Sequence, residues 1–254
     1  MRRCLLCAAL LSVGAAPLLA NAETAAERAL RELDSAMRIA KDQAFDYDVV
    51  TWEPGKGERT MQFSVKVKPP NWRRLDYSAP ADIKGMKVLI RSLSEMYIYL
   101  PAYRKVRRVA GHVRQQSFQG TALSQDDMSI TQYSEAFVAT KLLKEDAKSW
   151  RVELTRKPKS DFPYLRLEMT ILKKERMPLN ILYFNDKGVK VKSEEREGYS
   201  CKSTPRGLVC NCKVMKLTDH TRNGLWTKLI MKTWELDTGV PDSFFSQRDL
   251  QRGG

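Results

Sequence analysis

The stretch from Glu95 to Val109 reads EMYIYLPAYRKVRRV, in which Pro101 and Ala102 separate two short runs of apolar and aromatic residues. Runs of this length and composition, interrupted by proline, are typical of two strands joined by a turn. We therefore expect strands at Glu95–Leu100 and Tyr103–Val109. The second run also carries four basic residues, which are Arg104, Lys105, Arg107 and Arg108. No side-chain pattern typical of a catalytic centre occurs in this stretch.

The clearest alternation lies upstream of this stretch, from Thr60 to Lys68. One set of alternate residues is apolar, and the residues between them are polar or charged. The apolar set comprises Met61, Phe63, Val65 and Val67. Because successive side chains of a strand point to opposite faces of a sheet, this segment predicts one buried face and one solvent-facing face.

Most of the remaining chain also has strand character. Further strands are expected at Phe45–Trp52, Trp72–Tyr77, Trp150–Arg156, Leu165–Lys173, Leu179–Asn185, Val189–Glu195, Leu208–Leu217 and Leu225–Leu236. The total is about ten to twelve antiparallel strands, whose order of hairpins favours a meander that curls toward a barrel. The predicted fold class is mainly β with α, an antiparallel curved sheet or incomplete β-barrel covered by helices.

Two regions depart from the strand period. From Thr24 to about Ala44 apolar residues recur with helical spacing, and Thr24 with Glu27 forms a capping-box pattern, so we expect an amphipathic helix. Between Ser117 and Ala147 the period of two fails. There we expect loop and helix at Leu123–Met128 and again at Tyr133–Leu143.

The amino terminus has the three parts of a secretory signal peptide, residues 1–22. Arg2 and Arg3 precede an apolar run that ends near Ala20, and small residues follow before Glu23. We predict cleavage after Ala22, which leaves residues 23–254 as one domain in the periplasm. No cysteine stands at the cleavage point and no later segment is long and apolar enough to span a membrane, so we expect an unanchored protein.

The chain carries a formal net charge of +14. Loss of Arg2 and Arg3 with the leader lowers the charge to +12 (14 minus 2) over 232 residues (254 minus 22). Basic proteins often bind polyanions, but an exported protein meets anionic lipid rather than nucleic acid. We therefore expect an anionic membrane surface as a partner and no nucleic acid. A generally solvated basic surface is the alternative.

Three cysteines remain after the leader, namely Cys201, Cys210 and Cys212. The periplasm is oxidising, and a turn at Ser203–Gly207 would bring two strands together, so a Cys201–Cys210 disulfide is expected, with Cys201–Cys212 as the competing pair. Cys210, Cys212 and His220 are an alternative set of metal ligands, but their spacing matches no usual zinc pattern. We expect no metal and no cofactor.

Catalytic residues are not indicated by any motif. The chain has two histidines, His112 and His220, and we interpret both as surface residues. Asp126 and Asp127 are adjacent, which suits the capping of a following helix better than paired acid catalysis. No glycine-rich phosphate loop, CxxC or HExxH motif is present. We therefore do not expect an enzyme.

In their order and spacing, the motifs of this chain resemble those of the periplasmic outer-membrane lipoprotein-sorting proteins, the LolA/LolB-like lipoprotein carrier superfamily. The resemblance rests on Met96–Val109, Gln116–Thr121, Ser124–Met128 and the closing Phe244–Leu250 segment. It covers nearly all of the mature chain. It implies a LolA-like half-barrel whose mouth is covered by the Ser117–Leu143 insert.

The resemblance also implies a function. The protein is expected to bind acyl chains of a lipid or lipoprotein in a hydrophobic half-barrel cavity and to move this cargo toward the outer membrane. The residues expected to line the cavity are Met61, Phe63, Val65, Met96, Ile98, Leu100 and Met169. Core packing is the alternative for each, and Tyr97 and Tyr99 are the alternative inward pair of their strand. Arg104, Lys105, Arg107 and Arg108 are expected near lipid head groups or a partner.

A different class of function is also compatible with these residues. A periplasmic adaptor or sensor would bind a membrane exporter or regulator, with no transported cargo, and the basic Tyr103–Arg114 strip would be its interface. A hydrolase of envelope lipids or glycans is a third hypothesis. In either binding role we expect a monomer, with an inner-membrane exporter as a further candidate partner.

Overall fold

The computed structural model describes residues 22–130 and 132–252, so the predicted signal peptide lies outside the described residues except for Ala22. The described helices are α1 (Ala25–Met37), α2 (Gly111–Arg114), α3 (Gln125–Ser129), α4 (Tyr133–Ala136) and α5 (Gln247–Arg252), with 3-10 turns at Pro101–Tyr103 and Asp242–Phe245. The first strands are β1 (Gln43–Glu53), β2 (Gly57–Lys68), β3 (Trp72–Ala79), β4 (Lys87–Ser92), β5 (Glu95–Leu100), β6 (Lys105–Arg108), β7 (Phe137–Glu145) and β8 (Ser149–Arg156). The later strands are β9 (Arg166–Leu172), β10 (Met177–Phe184), β11 (Lys190–Glu197), β12 (Ser200–Thr204), β13 (Gly207–Asn211), β14 (Val214–Asp219) and β15 (Leu225–Leu236).

Thirteen of these strands form one curved antiparallel sheet in the order β6-β5-β4-β3-β2-β1-β15-β14-β11-β10-β9-β8-β7. The chain meanders from β1 outward to the edge strand β6, starts again at the opposite edge with β7, and returns to pair β15 with β1. The two edges, β6 and β7, are not hydrogen-bonded to each other. The sheet is therefore an open half-barrel, which confirms the predicted fold class.

Helix α1 lies against the concave side of the sheet near β7, β8 and β10. Thr24 and Glu27 form the predicted capping box at its first turn. Its apolar side chains, such as Leu30 and Leu33, are buried in a core with the inward residues of β8 to β10. A second core fills the other half of the concave side, between β1 to β5, β14 and β15.

The outer face of β4 and β5 is also covered. Leu89 and Tyr99 pack there against Phe245 and Leu250 of the C-terminal segment. Tyr97 lies on this outer face too, while the alternate residues of β5 pack against the concave core. The sequence left open which alternate residues of β5 face the concave side. The structure shows that they are Met96, Ile98 and Leu100.

Two segment assignments made from the sequence are wrong. Tyr133–Leu143 was expected to be loop and helix, but only Tyr133–Ala136 is helical and Phe137–Glu145 forms edge strand β7. Two register shifts against β8 interrupt the alternation of β7, which hides its period of two. Leu208–Leu217 was expected to be one strand, but it divides into β13 and β14, which belong to different sheets.

The cysteine pairing follows from the separate hairpin of β12 and β13. Cys201 faces Cys210 across this hairpin, and the two form a disulfide. The pairing expected first is confirmed, and Cys212 is a free thiol. Because Cys210 is in the disulfide, the alternative metal set with Cys212 and His220 is not formed. Within residues 22–130 and 132–252, no group of three His, Cys, Asp or Glu side chains is placed to hold a metal ion.

Candidate functional site

A cavity of about 220 Å³ lies on the concave side of the sheet, between the strands and a covering segment. We call this segment, residues 118–130 with 132 and 133, the lid. The lid contributes Phe118, Thr121, Leu123, Asp127, Met128, Ile130 and Tyr133 to the cavity wall. The cavity is thus partly covered by the region that the family resemblance implied as a cover over the half-barrel.

One end of the cavity is apolar. Its wall is formed by inward residues of the central strands, among them Val49, Met61, Leu217 and Leu229. Neighbouring aromatic rings continue from the sheet into the lid, with centroid separations of 5.1 Å for Phe63 and Tyr77 and 5.7 Å for Tyr77 and Phe118. These rings fill the space between sheet and lid with apolar surface.

A hydrogen bond fixes the lid above this apolar end. The backbone N–H of Ala122 donates to Thr227 Oγ1 at 2.9 Å, and Thr227 is also bonded to Thr51 Oγ1 at 2.9 Å. All three residues are buried. The Thr227 hydroxyl, itself bonded to Thr51, therefore satisfies a lid N–H that would otherwise be buried without a partner.

The other end of the cavity contains an arginine. Arg73 on β3 donates from Nη1 to Met128 O at 2.6 Å and from Nη2 to Ile130 O at 3.2 Å, so it too contacts the lid. Its Nε is buried and has no partner among the described residues. Burial lowers the pKa of Arg73, and the groups that oppose this effect are Tyr47 and Tyr133 rather than a carboxylate.

A second arginine of the cavity wall, Arg196 on β11, is paired. Its Nε lies 2.5 Å from Glu194 Oε1, and Tyr183 Oη donates to Glu194 Oε2 at 2.7 Å. Burial alone would lower the pKa of Arg196, but Glu194 raises it well above its ordinary value. The pKa of Tyr183 is raised by burial and by Glu194, so this hydroxyl stays protonated as a donor.

Asp127 joins the lid to the sheet. Ser124 and Asp127 form a capping box at the start of α3, which confirms the capping role expected from the sequence. The same carboxylate accepts a hydrogen bond from Tyr164 Oη at 2.8 Å and forms a buried ion pair with Lys192. Asp127 is therefore a structural carboxylate whose charge is compensated.

Asp126 has a different environment. It is 2% exposed, its Oδ1 lies 3.6 Å from Arg114 Nη1, and its Oδ2 has no hydrogen-bond partner in the described part of the chain. Burial raises the pKa of Asp126 to about 6, although Arg114 opposes the shift. Arg114 is also bonded to Asp161 at 2.6 Å, so it is shared between two carboxylates.

The structure brings together three of the seven residues expected at the cavity. Met61, Phe63 and Val65 line it. The other four, Met96, Ile98, Leu100 and Met169, do not line the cavity and pack in the concave-side cores. Met169 lies in the core that α1 covers, and the β5 residues lie two strands beyond β3. The role of all seven in ligand binding stays a prediction.

The four basic residues expected near head groups lie together at one edge of the sheet. Arg104, Lys105, Arg107 and Arg108 are exposed on β6 and the residue preceding it. Beside them Tyr103 is 64% exposed, with its ring 5.8 Å from the Arg107 guanidinium. They lie outside the cavity wall, so they form a separate surface.

Sequence reasoning missed the polar residues of the cavity. Arg73, Glu194 and Arg196 all occupy inward positions of strands, where apolar residues were expected. The available signal was the composition of β11, because its alternate residues Lys192, Glu194 and Arg196 are all charged. Charged side chains on the buried face of a strand need partners, and their clustering points to a polar site.

The curved open sheet with a cavity beneath its lid defines a LolA-like fold, and solved structures share it. A domain from Vibrio parahaemolyticus, provisionally described as an outer membrane lipoprotein-sorting protein, is 20% identical, and the match covers 89% of this chain and 100% of that domain with a TM-score of 0.75. A DUF1329 family protein from Desulfovibrio piger is 21% identical over 89% and 100% of the two chains, also with a TM-score of 0.75. A LolA superfamily protein from Nitrosomonas europaea is 15% identical over 88% and 98%, with a TM-score of 0.70.

The chain belongs to a family whose sequence profile, described only as that of an uncharacterized protein, matches residues 73–252. No protein with a curated record matches the chain. Among the described residues, none of the helices has both the length and the apolar character needed to traverse a bilayer.

Proposed function

We propose that this protein is a periplasmic carrier that binds acyl chains of a lipid or lipoprotein in its cavity and moves this cargo toward the outer membrane. The observation that supports the proposal is the apolar cavity between the half-barrel and its lid. The likeness in fold to a domain described as lipoprotein-sorting agrees with the proposal. We propose a binding role without catalysis.

Apolar burial alone is strong enough for this role. Transfer of a methylene group out of water contributes about 0.8 kcal/mol, so ten buried methylenes contribute about 8 kcal/mol before entropy losses. Without those losses this energy would correspond to a dissociation constant near 1 μM, so the losses set the affinity at a weaker value. The cavity of about 220 Å³ is smaller than the roughly 300–1,000 Å³ of typical ligand sites. A cargo with several acyl chains would therefore require outward movement of the lid.

The basic edge of the sheet has a proposed role in docking. Arg104, Lys105, Arg107 and Arg108 are exposed there with Tyr103. Near an anionic membrane surface each basic side chain contributes about 1 kcal/mol, and this attraction falls off within a Debye length. We propose that this edge approaches anionic head groups or a membrane partner while the cavity exchanges its cargo.

The test is mass spectrometry of organic extracts from protein purified out of the periplasm without detergent. We expect one lipid or lipoprotein class at near-stoichiometric yield. As a matched pair, Val49→Phe places a ring at the cavity wall and Val152→Phe places one in the core beside α1. Only Val49→Phe is expected to lose the extracted lipid.

Two results would contradict the carrier proposal. Protein that is stable, empty and recovered with a stoichiometric membrane protein would instead support the adaptor or sensor function. Equal lipid yield from wild type and Val49→Phe would mean that the extracted lipid is not held in the cavity.

A further inference from the structure

We propose that the cavity accepts a single-chain amphiphile with one anionic head group, a carboxylate or a phosphate monoester, and that Arg73 binds this head group. The inference deepens the proposed function and rests on it, because it assigns a ligand class and a binding direction to the same cavity. It is carried by the charges and unsatisfied donors at one end of the cavity.

The four charged side chains that line the cavity are not all paired with one another. They are Arg73, Asp127, Glu194 and Arg196. Asp127 is paired with Lys192, and Glu194 is paired with Arg196. Within the described residues Arg73 forms no ion pair, so one positive charge remains. An unpaired charge in an apolar interior costs several kcal/mol, and an anion bound beside it would offset this cost.

The unsatisfied donors of Arg73 agree with this charge count. A guanidinium has five N–H groups. Two N–H groups donate to the lid carbonyls of Met128 and Ile130, and the Nε group has no partner among the described residues. A carboxylate or phosphate accepts paired hydrogen bonds from the planar fork of an arginine, which an ester or alcohol cannot match. Arg73 therefore has both the charge and the free donors for an anionic group.

The neighbours of Arg73 are hydrogen-bond donors as well. Tyr47 also lines the cavity, and burial raises its pKa, so its hydroxyl remains protonated. Tyr133 of the lid has its pKa raised in the same way, and Arg196 lies close enough to oppose that shift. Arg196 also lowers the pKa of Arg73, since two cations are brought together at this end. The surroundings thus favour a bound anion.

The strand register sets the direction of the ligand. Arg73 lies opposite Val67, which in turn lies opposite Gln43 at the start of β1. Val49 lines the apolar end of the cavity and lies on β1, six residues after Gln43. At about 3.3 Å per residue this separation is roughly 20 Å. We infer that the head group binds at Arg73 and that the acyl chain extends along β1 toward Val49.

The experiment measures the affinity of the full mature chain for three probes with the same chain length: hexadecanoate, hexadecyl phosphate and the neutral hexadecanol. We expect wild type to bind at least one anionic probe at least tenfold more tightly than hexadecanol. Which anion is preferred distinguishes a carboxylate from a phosphate ligand. Arg73→Gln is expected to abolish the preference while keeping hexadecanol binding, and Arg73→Lys is expected to retain part of it.

Arg28→Gln is the matched control, since Arg28 is exposed on α1 and its loss lowers the net charge equally. It should leave the preference unchanged. Equal binding of all three probes by wild type, or an undiminished preference in Arg73→Gln, would overturn this inference while acyl binding stands. If wild type binds none of the probes, the proposed function fails together with the inference.

Discussion

Asp126 and Asp127 are neighbours in sequence, yet their carboxylates differ in almost every physical respect. Asp127 is compensated by Lys192 and by a hydrogen bond from Tyr164. Asp126 shares Arg114 with Asp161 and leaves one oxygen unsatisfied in the described part of the chain. The structural reason is that α3 turns one carboxylate toward β11 and the other toward α2.

The environment of Asp126 predicts a pH-dependent stability. Its pKa of about 6 in the folded protein lies above the value of about 3.9 expected in the unfolded chain. The folded state therefore binds the proton more tightly, and the free energy of unfolding should fall as pH rises from about 4 to about 6. Asp126→Asn removes the ionisation and should raise the free energy of unfolding at pH 8 by about 1 to 3 kcal/mol.

Urea unfolding at pH 5 and pH 8 checks this prediction. Asp161→Asn is the control, because Asp161 contacts the same Arg114 but has a side chain that is 73% exposed. We expect the control to retain the pH dependence of the wild type. The interpretation is wrong if Asp126→Asn also retains it.

At the scale of the element, the two edge strands of the half-barrel differ in charge and cover. Strand β7 is long and carries both signs of charge, whereas β6 is short and strongly basic. The C-terminal helix α5 packs near β4, β5 and β6, and Gln251 donates to the carbonyl of Arg104 at 3.3 Å. A short, charged edge resists pairing with another strand. It also leaves the basic side chains free for a partner.

The position of these charges, rather than their number, should decide membrane binding. We predict that changing Arg104, Lys105, Arg107 and Arg108 together to Gln weakens binding to vesicles with anionic lipid. At about 1 kcal/mol for each residue, the affinity should fall by up to roughly a thousandfold at low salt. Vesicle co-sedimentation at two salt concentrations measures the effect.

The control changes four exposed lysines away from this edge to Gln as well. They are Lys141, Lys144, Lys148 and Lys187. It lowers the net charge by the same amount and should reduce binding much less. Similar losses in both variants would show that net charge alone governs membrane binding and would contradict a docking role for β6.

On the scale of the whole molecule, the concave side of one sheet holds two different interiors. Beneath α1 the side chains of β8 to β10 are almost fully buried, with Val152, Leu154 and Met169 at 0% exposure. Beneath the lid the interior contains the cavity. Helix α1 is joined to the lid region by Asp34, which accepts hydrogen bonds from the N–H groups of Tyr133 and Ser134 at 2.8 and 2.9 Å.

This division predicts losses of stability that differ in size for one type of substitution. Insertion of extra volume into a close-packed core costs about 1 to 3 kcal/mol, whereas a cavity accepts it with little loss. Val152→Phe should therefore lower the free energy of unfolding by that amount, and Val49→Phe by less than about 1 kcal/mol. Denaturant unfolding of both variants checks the prediction, which fails if Val49→Phe is the more destabilised protein.

Much of the architecture can be predicted from the sequence because it depends on local residue patterns. The alternation of Thr60–Lys68 identifies the concave face of β2, and Thr24 with Glu27 identifies the start of α1. Strand β4 was missed because Lys87, Val88, Leu89 and Ile90 are all buried. With the core on one face and the C-terminal segment on the other, such a strand has no polar alternation.

The sequence by itself determined the strand-rich fold class, the first helix and the basic stretch of β6, since each depends on side chains that are close in the chain. It left two pairings open for Cys201, and the structure selected Cys210. Only the tertiary structure decided the pairing of β1 with β15, the cavity beneath the lid and the position of Arg73 in it without an ion-pair partner among the described residues. These features depend on contacts between residues far apart in the chain. The local periodicity of a sequence does not indicate which distant side chains come into contact. Nor does it indicate whether the space between packed elements is filled or is a cavity.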